Sequence, residues 1–369
     1  MPPIHRSEVK MKRWQQFLEE SYRSLDDLKE PLGLTDGQIE SLRPFEERYP
    51  ILVTPYYLRL MNRLDPEDPI RTMCLPHISL RAADDASGAD SEINGGQHKY
   101  QQSVLIVSNN QTLSYSRNCY RKDFRKLDPD EVKTRIPKLA EYISERPEID
   151  NISIAGGDAF LNSNELLGQY LKAFAFLPTI GYIRFTTSTP ATFPQRISND
   201  PELINMLARY AKAKAIIIVT QFDHPRELTD EAAAAVRMLR EAGCTVRNEA
   251  VLLHGVNDDA KTIYELMNGL VSIGVEPYYL YQCRTATDFD DHFQVPLADG
   301  IRMVGEAKAT MSGMAKSFRY IMGHTTGKIQ MLGFTDDGQA VFKYHEAKDP
   351  ANEGRIFMQE LDEAQTWLA

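Results

Sequence analysis

Short apolar runs recur along the middle of the chain, at 103–108 (SVLIVS), 151–155 (NISIA), 182–187 (YIRFTT), 215–220 (AIIIVT), 245–253 (TVRNEAVLL) and 277–282 (PYYLYQ). Each has the length and residue types of a buried strand. Between them, at 129–145, 163–176, 200–213, 229–242 and 259–273, apolar positions fall three and four apart and predict helices. Asp128, Thr229 and Asp258 stand near three of the helix starts, where a side-chain oxygen caps free backbone N–H groups. Six strands alternating with five helices predict a parallel sheet with right-handed crossovers. Periodicity alone fits an open, partial (β/α) barrel and a doubly wound sheet equally well.

Outside this region the pattern changes. Residues 8–45 read as helical, with Trp14, Phe17, Leu18 and Tyr22 on one face and Asp36 as a cap for a short second helix. A short helix is expected around Pro55–Leu58, and a turn after it at Pro66 and Pro69. From Ala82 to Lys99 the chain is polar and small-residue rich, which predicts an exposed linker. Beyond the sixth strand the pattern gives a loop at 290–296, a helix at 298–312 and a strand-like stretch leading into 323–334 (GHTTGKIQMLGF). The tail, VFKYHE and RIFMQELDEAQTWL, reads as a strand followed by a helix.

Composition narrows the function classes. The 369 residues are 42% hydrophobic and 25% charged, ordinary for a globular protein. With 42 basic against 52 acidic residues the net charge is −10, which argues against a nucleic-acid partner. No apolar run approaches the ~20 residues that span a bilayer, and no secretory leader is apparent, so no membrane association is expected. Cys74, Cys119, Cys244 and Cys283 are scattered without CxxC spacing, which argues against a disulfide scaffold and fits a cytoplasmic setting.

The stretch with most chemical content is QTLSYSRNCYRKDFRK, Gln111 to Lys126, where the first predicted strand hands over to the first helix. In α/β enzymes chemistry sits at that edge. Several other segments, VTPYY (53–57), DPEDPIR (65–71), GGDAF (156–160), TPATFPQRI (189–197), FDHP (222–225), VLLHGVND (251–258), PYYLYQC (277–283) and HTTGK (324–328), complete a pattern spread over nearly the whole chain. It resembles the lysine 2,3-aminomutase family of radical S-adenosylmethionine (SAM) enzymes, nearest the glutamate 2,3-aminomutase branch. The resemblance implies a partial (β/α)6 TIM-type barrel at 101–285. An N-terminal helical extension and linker at 1–100 and a C-terminal extension at 286–369 flank it.

The same resemblance implies site residues. The family's three cluster cysteines fall on Thr112, Ser116 and Cys119, so two of three thiolates are replaced. Hydroxyls are hard ligands that stay protonated near neutral pH, and one thiolate cannot hold a [4Fe–4S] cluster. The other three cysteines belong to distant segments. Ser188, Gln221 and Glu249 stand where the family has an arginine, a histidine and a glutamine near SAM. Gly156, Gly157 and Asp158 match the part that meets the methionyl end of SAM, and a tight strand-to-helix turn explains them equally well. Lys328 matches the lysine that forms a Schiff base with pyridoxal 5′-phosphate (PLP). Arg121 matches the arginine that grips the substrate α-carboxylate. Arg284 stands where lysine-specific members have an aspartate, and a second family acid falls near Ile321 or Met322; a cation there favours an acidic amino acid. His224 and His324 carry no assigned catalytic role.

The expected protein is therefore an aminomutase-like chain that keeps the PLP lysine, lacks the cluster and acts on or binds an acidic amino acid by polar PLP chemistry. Whether SAM binds without iron stays open. Two other readings stand beside it: an aminomutase still running radical chemistry, and a catalytically silent scaffold that pairs with an active relative. Homo-oligomers are expected from the family.

Overall fold

A computed structural model describes residues 13–46, 51–75, 95–113, 129–284 and 291–368. Among them, eleven strands form one sheet in chain order: β1 (Gly96–Tyr100), β2 (Ser103–Val107), β3 (Asn151–Ala155), β4 (Tyr182–Thr186), β5 (Ala215–Thr220), β6 (Thr245–Leu252), β7 (Glu276–Gln282), β8 (Arg319–His324), β9 (Gly327–Phe334), β10 (Ala340–Ala347) and β11 (Ile356–Gln359). A doubly wound sheet needs a point where strand order reverses, so that helices cover both faces. Here every crossover steps the same way. Strands β2 to β8 are parallel, and β1 and β9–β11 run antiparallel at the two ends. The sheet does not close on itself, and the partial barrel is the fold. A seventh parallel strand, β8, extends the six read from the pattern.

Strand alternation separates two environments. Val104, Ile106, Ile152, Ile154, Ile183, Phe185, Ile216 and Ile218 face outward and are buried with the helices in the main core. Those helices are α6 (Pro129–Ser144), α7 (Asn164–Phe174), α10 (Pro201–Ala211), α11 (Asp230–Glu241), α12 (Ala260–Ile273) and α13 (Leu297–Thr310); the short α8 (Thr189–Thr192) and α9 (Gln195–Ser198) precede α10. The alternate positions, Ser103, Asn151, Ser153, Tyr182, Arg184 and Thr186, face inward and line a cavity. Bulky branched residues fill the interior of a packed barrel; a polar interior leaves room for a ligand.

The N-terminal helices α1 (Arg13–Glu19), α2 (Leu25–Leu32), α3 (Asp36–Glu46), α4 (Pro55–Leu60) and α5 (Pro69–Cys74) build a separate layer. Leu25, Leu28, Tyr57, Ile70 and Met73 pack with Val251, Leu253, Val256 and Cys283, at the C-terminal ends of β6 and β7. The VTPYY segment is a docking device. Thr54 caps α4 by accepting from Tyr57 N and donates to Thr192 O at 2.6 Å, and the Tyr56 and Thr229 hydroxyls bond at 2.6 Å. Asp68 caps α5 and pairs with Arg226 at 2.5 Å.

Several expectations are corrected. Part of the anticipated linker, Gly96–Tyr100, is strand β1, because its backbone pairs with β2; residues 82–94 lie outside the described chain, as does Asp128. The turn at Pro66 and Pro69 leads into α5. Asp36 lies inside α3, and Thr35 Oγ1 accepts from Gln38 N. Asp259, not Asp258, caps α12; Asp258 accepts instead from Gly255 N and bonds His254. No helix forms after β11. There Gln365 O accepts from Leu297 N and Thr366 O from Gln282 Nε2, so the tail's backbone is committed to α13 and β7, with Leu368 buried. None of the described helices is long and apolar enough to cross a membrane.

Candidate active site

The cavity, about 520 Å3, occupies the barrel interior and is lined from the starts of the parallel strands to the loops beyond their C-terminal ends. That volume is within the ~300–1,000 Å3 usual for small-molecule sites. The structure brings Thr112, Gly156, Gly157, Ser188, Gln221, Glu249, Arg284 and Lys328 into its lining. Ser116, Cys119 and Arg121 lie outside the described residues. Ile321 and Met322 are fully buried and do not line the cavity.

The two glycines are forced by a close approach. Gly157 N donates to Asn109 O at 3.0 Å, and a Cβ on Gly157 would lie 1.7 Å from Gln111 O. The pair therefore seats the loop leading to Thr112 against the end of β3. Asp158 is turned away from the cavity. Its Oδ1 accepts from Thr187 Oγ1 and Phe160 N, and its Oδ2 from Ser188 N and Ser188 Oγ. Burial raises this carboxyl's pKa, while those donors pull it back.

Lys328 reaches the cavity from β9, where register places it opposite Glu346 of β10. Its Nζ is 2.8 Å from Glu346 Oε2, 5.2 Å from the Tyr279 ring centroid and 5.4 Å from that of Tyr100. It thus spans from β7 to β1, across the open side of the barrel. Gly327 makes this register possible, since a Cβ there would meet Glu346 O at 2.2 Å. Beside Lys328, Tyr279 Oη lies 3.0 Å from Tyr278 Oη and 2.8 Å from His345 Nε2. Burial lowers the His345 pKa, favouring the neutral imidazole. His324 and His224 are structural: His324 Nδ1 bonds Thr326 Oγ1 and accepts from Thr326 N, and His224 Nδ1 accepts from Arg226 N.

A second polar group went unread in the sequence. Asp223 and Glu227, in and after FDHP, are both buried and both line the cavity. Asp223 accepts from Val251 N and Gln221 Nε2, each at 2.7 Å. Glu227 accepts from Asp223 N, His224 N and Tyr57 Oη. Desolvation pushes both carboxyls up, and Glu227 is pushed further by Asp223. Arg184, Glu346, Tyr100 and Tyr279 were missed as well; period-two alternation marks Arg184, in YIRFTT, as a cation facing the same way as Tyr182.

No family model matches the chain. Over 309 residues it is 34% identical to the L-lysine 2,3-aminomutase of Clostridium subterminale, an alignment covering 82% of this chain and 72% of that one. The chain belongs to the lysine 2,3-aminomutase family. It is also 31% identical over 310 residues to the glutamate 2,3-aminomutase of Clostridioides difficile, with the same coverage of 82% and 72%. Identity alone does not separate the two branches. Among solved structures, a radical SAM methyltransferase from Sphaerobacter thermophilus aligns over 59% of this chain and 67% of its own, with TM-score 0.41 and 18% identity.

The donor set of this family member can be tested against the two groups its relatives suggest. For an iron–sulfur cluster the chemistry does not fit: Thr112 offers a hydroxyl, and Cys74, Cys244 and Cys283 are buried in apolar clusters outside the cavity lining. Among the described residues no group of three or more His, Cys, Asp or Glu could hold a metal ion. For PLP the residues do fit. Lys328 offers an amine, and two lining atoms, Arg184 Nε and Thr220 Oγ1, are buried without any hydrogen-bond partner. Unlike the other buried polar atoms without a partner, these two belong to residues that line the cavity, where a ligand's polar atoms can reach them.

Proposed function

We propose that this aminomutase-family chain attaches PLP at Lys328, receives an acidic amino acid in the same cavity and works by polar chemistry, without a radical drawn from SAM. The observation that carries the reading is Lys328 itself, inside a polar cavity and steadied by Glu346. Its Nζ would be the group that holds the cofactor's aldehyde carbon. When bound, PLP supplies an electron sink for the amino-acid carbon.

The chain's own residues do the rest. Glu346 orients the lysine, and the rings of Tyr100 and Tyr279 flank it and limit water. Tyr278, Tyr279 and His345 form a hydrogen-bonded row in which Tyr279 Oη donates to Tyr278 Oη and accepts from His345 Nε2, which holds the Tyr279 ring beside the lysine. Arg284, in the lining, sets the charge at the distal end of the substrate, attracting a carboxylate and repelling the ammonium of lysine. Thr112 supports the absence of a radical starter, because a hydroxyl replaces the first thiolate.

Family membership favours a second reading, an aminomutase that still runs on radicals. One experiment separates the two. Protein purified anaerobically and mixed with PLP is expected to turn yellow, to keep the label after borohydride and to lose it in Lys328→Ala. Stoichiometric iron and sulfide, with 5′-deoxyadenosine formed during turnover, would establish the radical reading instead.

A further inference from the structure

Arg184, whose Nε counted above only as an unbonded atom, is an unusually placed cation. It sits at the middle of β4 on the inner face, between Tyr182 and Thr186. One nitrogen, Nη2, donates to Ser103 Oγ and to Asn151 Oδ1, both at 2.9 Å. Ser103 Oγ in turn donates to Asn151 Oδ1 at 3.0 Å, so two neighbouring strands fix the guanidinium plane. Nε is buried and unbonded. Among the described residues no carboxylate pairs with it: Asp150, nearby, takes Asn151 Nδ2 at 2.8 Å, and Glu346 is held by Lys328. A fixed, cavity-facing guanidinium with neutral partners only is an anion seat waiting for its charge.

The register connects this seat to Lys328. Tyr100, whose ring lies 5.4 Å from Lys328 Nζ, is the direct β1 partner of Ser103. Ser103 is the residue that holds Arg184. The amine and the guanidinium therefore line one cavity and are linked through the cross-strand pair Tyr100–Ser103.

We propose that Arg184, held by Ser103 and Asn151, seats the phosphate group of the cofactor whose aldehyde takes Lys328. This rests on the reading of Lys328 given above. A phosphate offers the fork of oxygens a guanidinium matches. A substrate carboxylate shares that chemistry, so the test separates the two sources.

Apparent affinities of PLP and of pyridoxal, which lacks the phosphate, are measured by the absorbance of the Lys328 adduct without any substrate. Wild-type protein is expected to prefer PLP by about 10- to 100-fold, the worth of one charge-assisted contact set. Arg184→Gln should abolish the preference while leaving pyridoxal uptake unchanged, which also certifies the fold. Ser103→Asp should do the same with Arg184 intact, by neutralising it, and decides the matter if Arg184→Gln does not fold. Inorganic phosphate should compete with PLP and glutarate should not. An unchanged preference in the variants overturns the seat and leaves Lys328 standing; loss of pyridoxal and PLP uptake together makes Arg184 a strut. Competition by glutarate alone gives the seat to the substrate. No adduct from either aldehyde in the wild type overturns both readings.

Discussion

Glu227 illustrates how a single side chain can set the pH response of this protein. It is fully buried, takes three donors and has Asp223 beside it. Burial and the neighbouring acid raise its pKa in the folded state, from 4.5 to about 8. As pH rises through that window the unfolded chain loses its proton while the folded one keeps it, so the folded state loses relative stability. Below the window both states are protonated and the effect vanishes. Glu227→Gln keeps the size and the acceptor but cannot ionise. Its melting temperature should therefore overtake that of the wild type progressively from acid to mildly alkaline pH; parallel melting curves across that range would refute the assignment. Arg196 makes a simpler case. It is fully buried and donates to Phe160 O, Asn162 O, Asn164 Oδ1 and Asp200 Oδ2. Arg196→Met leaves the buried Asp200 carboxylate without its counter-ion and removes the donor from three further acceptors, and should cost about 3–5 kcal/mol in denaturant unfolding.

At the scale of elements, what could be read in advance was what has a local period. AIIIVT and NISIA announce strands because apolar and β-branched residues cluster over a strand's length, and the structure places strands there. The tail could not be read that way. LDEAQTWL has helical composition, but its carbonyls are taken by Leu297 and Gln282, partners more than 65 residues distant. β8 escaped recognition as a parallel strand for a similar reason: only its pairing with β7 gives it a direction. The site followed the same rule, since Lys328 came from a motif while its partner Glu346 is set by the register of β9 on β10. That register is itself testable. Gly327→Ala would drive a methyl group into Glu346 O, so β9 and β10 must separate at the level of Lys328. Expected are a loss of about 1–3 kcal/mol in stability and slower, weaker PLP uptake; uptake equal to wild type would show that the close approach does not position the lysine.

For the whole molecule, the proposed reading separates the fold from the chemistry of the site. The barrel, the docking of α4 and α5 and the glycine turn that seats the Thr112 loop are all present among the described residues. Fold is set by many apolar contacts and by backbone pairing, and two side-chain exchanges in one segment leave those untouched. A [4Fe–4S] cluster instead depends on three thiolates, so the reading proposed above turns on Thr112 and Ser116. If the surrounding frame still suits a cluster, restoring the sulfur should restore the iron. Thr112→Cys with Ser116→Cys is expected to turn brown on anaerobic reconstitution and to bind iron and sulfide in stoichiometric amounts, while the wild type stays free of both. On the proposed reading PLP attaches at Lys328 and not at Thr112, so the double variant should take up PLP as the wild type does. Iron in the wild type would mean that hydroxyls or unseen ligands suffice. Iron in neither would mean that the frame has drifted along with the ligands, and that the family likeness in this region has become one of backbone alone.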